Sequence, residues 1–113
     1  MTKYILMLSL ITPSMTLARG LADSYDVDNV RVDKSGLGFV TFKSDLVANK
    51  EELPDCGKGY PRSLAFDTNT EGGKAILSMA LSAKMSGSSL YAVGTNECSG
   101  YQVIENMSYG FLE

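Results

Sequence analysis

The chain has no histidine, no tryptophan, two cysteines and three prolines, with only ten basic residues among 113. Each scarcity closes a class of function. Without histidine, the usual general base, the Ser-His-Asp triad and the common zinc sites have no imidazole to build on. A thiolate nucleophile would lack the same activating partner. Ten Lys and Arg stand against thirteen Asp and Glu, for a net charge of −3. Clustered cations, which phosphate binding needs, are missing, so nucleic acid is not an expected partner. Asp23, Asp26, Asp28 and Asp33 lie near one another but lack the spacing and glycine of a calcium loop. No cofactor is implied, and the composition points to a protein that is not an enzyme. Long apolar runs are also lacking: no stretch approaches the roughly 20 residues of a membrane span.

What is present begins with an export signal. Lys3 supplies a basic start, Tyr4 to Ile11 a short apolar segment, Pro13 a break, and Thr16-Leu17-Ala18 a small-x-small cleavage site. Residues 1–18 are read as a signal peptide cut after Ala18, with a cut after Ala22 as the second choice. Residues 19–113 then form one domain of about 95 residues with a thin core, destined for the periplasm or the medium. In that setting the two cysteines pair as Cys56–Cys98. The bridge encloses the one long helical pattern of the chain.

That pattern runs from Thr70 to Gly87. Thr68, Asn69 and Thr70 are candidate N-caps, Glu71 suits the positive end of the dipole, and Gly87 is a C-terminal stop. Gly72 and Gly73 are poor helix formers, which suggests close approach to another backbone. Ile76, Met79, Ala80 and Ala83 make one buried stripe at i, i+3, i+4, i+7. Leu77, Leu81 and Met85 make a second row, rotated about 100° or more from the first. Two explanations fit: both rows are core, or the second row meets another subunit.

Elsewhere the patterns are short strands and turns. Arg19 to Asp26 reads as a loose polar arm. Val30 and Val32 alternate with polar neighbours, Lys34-Ser35-Gly36 turns, and Leu37 to Lys43 returns as the partner of a hairpin. Ser44 to Arg62 is a long loop pinned by Cys56, in which Lys50-Glu51-Glu52 is a solvated run. Ser63 to Phe66 precedes the helix, and Leu90 to Val93 follows it. Gly94 to Gly100 turns at Cys98, and Tyr101 to Leu112 is the last strand region, with Val103, Met107, Tyr109 and Phe111 on one face and a bulge or bend at Glu105. Asn106-Met107-Ser108 matches the glycosylation sequon within that strand. The order β-β-β-α-β-β gives an α+β, mainly β fold: a small five-stranded OB-fold-like barrel, its helix between strands 3 and 4, closed by one disulfide.

The segment from Ser63 to Cys98 carries a resemblance. Phe66-Asp67-Thr68, then Gly73-Lys74-Ala75, Ser86-Gly87, the strand Leu90 to Val93, and Cys98 resemble a family of small exported bacterial proteins. That family is similar, more distantly, to the pentameric B subunit of subtilase cytotoxin. The resemblance implies an OB-fold assembled as a ring with helices lining the pore, which would place Leu77, Leu81 and Met85 at a subunit interface. It also implies a cell-surface glycan as ligand and a catalytic A subunit as partner. Ser35-Gly36 before an apolar strand looks like the counterpart of the family's ligand-binding Ser-Gly pair. The acidic residue expected four positions earlier is Arg31 instead, so Ser35 is also readable as a simple turn residue.

Tyrosines are the side chains best suited to contact a ligand, offering a flat apolar face and a hydroxyl. Ser35, Tyr91 and Tyr101 are therefore the candidate glycan-binding residues, and Tyr60 and Tyr109 are further rings that could stack on a sugar or anchor a protein contact. The competing function is a small exported protein–protein interaction module, an inhibitor or periplasmic structural protein, using Tyr60-Pro61-Arg62 on the disulfide loop.

Overall fold

A computed structural model describes residues 19–47 and 53–113. The expected signal peptide, residues 1–18, and the Lys50-Glu51-Glu52 run lie outside the described residues. The elements are β1 (Leu21–Tyr25), β2 (Val27–Val32), β3 (Leu37–Phe42), a 3-10 turn (Asp55–Gly57), β4 (Ser63–Asp67), α1 (Glu71–Ser86), β5 (Leu90–Gly94) and β6 (Met107–Leu112). They form two antiparallel three-stranded sheets, in the orders β1-β5-β6 and β2-β3-β4. Among the described residues the fold is thus mostly β, with one α-helix and the Cys56–Cys98 disulfide.

Six strands in two sheets replace the expected five in one barrel, and no single sheet closes on itself among the described residues. The extra strand is β1, in the stretch read as a loose arm. It pairs with β5 through Leu21↔Val93 and Ala22↔Ala92, with an irregularity before Tyr25↔Leu90. Its signal is faint because Ala22, fully buried, is a small core residue. Ser24 takes a left-handed φ of 61° at the irregularity, which breaks the alternation a strand normally shows. The alternative cleavage point after Ala22 would fall inside β1.

The β2–β3 hairpin forms as the pattern requires, from Val30↔Val40 to Val32↔Gly38, and Gly36 takes φ 96° at the turn. A single parallel bridge, Ala65↔Asn106, joins β4 to the approach of β6. The last strand starts later than expected. Val93 faces Tyr109, while the adjacent Gly94 faces Met107, so β6 carries one extra residue there. The expected common face is therefore split: Met107 is buried, whereas Val103, Tyr109 and Phe111 are about half exposed.

The core lies between the sheets and one side of α1. Val40, Phe42, Leu64, Leu90 and Ala92 come from the strands and Ala80 and Ala83 from the helix, with Ile76 and Met79 packed against them. The first stripe on α1 is thus the core stripe. Thr70 caps the helix, its hydroxyl accepting from the Gly73 N–H, and Gly87 ends it at φ 74°.

Candidate functional site

The start of α1 is tied to the turn that carries Ser35. The Asp67 carboxylate accepts from the Asn69 N–H and from its side-chain amide, both at 2.9 Å. That amide also donates to the Ser35 carbonyl at 2.9 Å. Thr68 donates to the Gly36 carbonyl through its hydroxyl at 2.6 Å and its N–H at 2.8 Å. Gly73 lets the first helical turn sit on the end of β4, because a Cβ there would overlap the Asp67 carbonyl. The close approach foreseen for the glycine pair is real for Gly73; a Cβ on Gly72 would meet nothing within 4 Å.

Beside this junction lies a groove of ≈ 490 Å³. Its lining includes both residues of the Ala65–Asn106 bridge, the end of β4, the start of α1 and the start of β6. Leu37, Phe66, Ile76 and Met107 form its apolar part. Asp67, Thr70, Thr95, Ser99, Asn106 and Ser108 bring polar groups to it. The Asn106 amide donates to the Ser99 hydroxyl, which ties the loop around Cys98 to the residue that precedes β6. Hydroxyls, an amide and one carboxylate on an apolar bed suit hydrogen bonding to a polyhydroxylated ligand. No base–nucleophile pair is assembled there. Among the described residues, no group of three or more Cys, Asp or Glu side chains is placed to hold a metal.

Tyr101 borders this region. Its hydroxyl donates to Asp33, and its ring meets Phe39 edge-on at 5.5 Å. Arg31 lies 5.6 Å above the Phe39 ring and its Nε donates to the other Asp33 oxygen at 2.8 Å. Burial pushes the Tyr101 phenol up to about 12, with the bond to Asp33 adding to the effect. The Tyr101 hydroxyl first, and then the Arg31 guanidinium, hold Asp33 below its ordinary value. A depressed carboxylate contributes stability that is fully present above the unfolded value and lost as pH falls through the folded one. In Tyr101→Phe, the loss of stability below about pH 4 should therefore become shallower than in the native protein. Urea midpoints from pH 2 to 7 check this, and coincident acid limbs would refute it.

The three candidate glycan residues do not converge. Ser35 and Tyr101 share the Asp33 turn, where Ser35 is exposed and its Oγ accepts weakly from the Leu37 N–H at 3.4 Å. Tyr91 lies on the outer face of the β1-β5-β6 sheet, stacked on Phe111 at 4.6 Å and 15°. Sequence reasoning missed Asp67, Ser99 and Asn106 as groove residues. The run of small polar residues around Cys98 was the available signal, since a disulfide holds such a loop in one place.

The second helical row is open to solvent. Leu77 is half-buried, Leu81 is 43% exposed and Met85 is 85% exposed. Among the described residues, no helix is long and apolar enough to cross a membrane. No family model, curated protein or solved structure matches the chain, so the likeness drawn on Phe66 to Cys98 rests on those residues alone.

Proposed function

We infer that the chain is a non-catalytic exported binding protein of the toxin B-subunit type, assembled as a ring and binding glycan through its groove. The observation that carries this reading is the bare apolar row on α1. Ala80 and Ala83 are buried beneath the helix while Leu81 and Met85 stand out from it. Exposed side chains of that size in a continuous row mark a contact surface.

The strand connections support the fold the reading needs. Only Asp26 separates β1 from β2, and the two serve different sheets. Taken as one bent strand they leave five strands, with α1 between the third and the fourth. The Ala65–Asn106 bridge then lies where a partly open OB barrel brings its third and fifth strands together.

Light scattering on the secreted protein tests the assembly. A mass several times that of the monomer is expected, and Leu81→Glu should reduce it to the monomer by placing unpaired charge in an apolar contact. A monomeric native protein, or an intact Leu81→Glu ring, would sink the interface. A glycan array on the same sample tests the ligand: signal lost in Asn106→Ala supports the groove, and signal unchanged by that variant rejects it.

A further inference from the structure

Glu105 is 2% exposed, and nothing in the proposed binding function uses it. It takes the Gly20 N–H on both oxygens at 3.0 and 3.1 Å and the Asn96 N–H on Oε2 at 2.9 Å. The site is built around the carboxylate. A Cβ on Gly94 would overlap Oε2, and one on Gly20 would fall 2.7 Å from Oε1. Leu46 and Leu53 crowd the same Cβ position of Gly20, and Gly57 lies against the Glu105 backbone. With both oxygens accepting, the geometry suits the ionised form, whereas burial pushes the carboxyl above its ordinary value. A buried anion of this kind calls for a nearby cation.

We propose that the cation is the α-ammonium group created at Arg19 when the leader is removed, so that Glu105 is the receptor for the processed N-terminus. The proposal rests on the export reading; it is independent of the ring and of the glycan. Hydrolysis of the Ala18–Arg19 amide by a leader peptidase adds one water. Its oxygen goes to the new Ala18 carboxylate, and the Arg19 nitrogen leaves as an amine that takes up a proton. That nitrogen lies one residue, at most about 3.6 Å of chain, from the Gly20 N–H already bound to Glu105. Arg19 is exposed. Of the groups placed against Glu105, Asn96, Gly94, Gly57 and Gly20 are uncharged. The Arg19 side chain is the charged group that already acts on it, and the α-ammonium would add a second positive charge on its main chain. Cleavage after Ala22 would remove Gly20 and the first two of the five residues of β1, and with them the site, so the proposal requires processing after Ala18.

The sign of the pH dependence follows. An amine that gains an anionic partner has its folded value raised above the ordinary α-amino value of about 7.7 to 8.0. Its contribution is complete below the ordinary value and is lost as pH rises through the folded one.

The test compares the chain beginning at Arg19 with the same chain extended by Thr16-Leu17-Ala18, each with native Glu105 and with Glu105→Gln. Urea unfolding at pH 6.5 should give the Arg19 form an unfolding constant about ten- to a hundredfold smaller, the range for a charge-assisted hydrogen bond. The advantage should shrink above pH 8 and disappear in the Glu105→Gln pair. If that pair fails to fold, the pH profile of the native pair decides alone. Equal stability of the two native forms, or an advantage that does not change with pH, overturns the proposal. So does Asp23 as the first residue of the exported protein, whereas Arg19 supports it.

Discussion

Gly73→Ala should cost about 3 kcal/mol or more, although alanine is ordinarily the better helix former by about 1 kcal/mol. The sign reverses because the added methyl has nowhere to go. It would land on the backbone of Asp67, the residue whose carbonyl also accepts from the Thr70 N–H at 3.1 Å and hydroxyl at 2.8 Å. A flexible side chain could swing away; a carbonyl held by two donors cannot. Relief requires α1 to lift from the end of β4, which loosens the cap at Thr70 and opens the groove. Gly72→Ala is the control. It lies one position away, exposed, with nothing within 4 Å of the new Cβ, and should be neutral or stabilise by up to about 1 kcal/mol. Urea denaturation of both variants checks the pair. Similar midpoints for the two would mean that the contact with Asp67 does not constrain the helix.

The contrast between neighbouring glycines shows where sequence reasoning reaches its limit. Two poor helix formers in a first turn signal close approach, but which of them makes it depends on how the helix sits on β4. Helix, caps and hairpin turn were legible because each is decided within a few residues: Thr70 accepts from the residue three ahead, and Gly36 supplies its own φ. The disulfide was legible by elimination, since two cysteines allow one pair. β1 was not, because its partner β5 lies about 70 residues later and its one fully buried residue, Ala22, looks the same in a loop. Glu105 was misread as an interruption of a strand face. An acid in an apolar run gives no hint that Gly20, 85 positions away, will present an N–H to it. The groove is drawn from β4, α1, the disulfide loop and the start of β6, so no continuous stretch of sequence carries its pattern. Ser35 and Tyr101 were singled out separately for a hydroxyl and a ring. What links them is Asp33, which no local signal marked.

Removing the disulfide as Cys56→Ser/Cys98→Ser should lower stability by about 4 kcal/mol, the chain-entropy value for a closure of this length; the two cysteines are 42 positions apart. For a domain of about 95 residues, total stability is expected at roughly 5 to 14 kcal/mol, so the loss takes a large share of it. The bridge holds more than an average loop. One end sits in the 3-10 turn against Glu105, through Gly57, and the other in the turn that supplies Asn96 to the same carboxylate. Cutting it therefore frees both sides of the Glu105 site, together with Thr95 and Ser99 of the groove. The glycan binding proposed for the groove should fall along with stability. At protein concentrations and temperatures where the serine variant is still mostly folded, its glycan signal should already be weaker than that of the native protein. Dithiothreitol should have the same effect on the native protein and none on the variant. The domain would then be competent only in an oxidising compartment, in keeping with the export proposed for it. Equal urea midpoints with and without the bridge would show that the core and the Glu105 site hold the loop unaided, and the redox dependence of the groove would go with it.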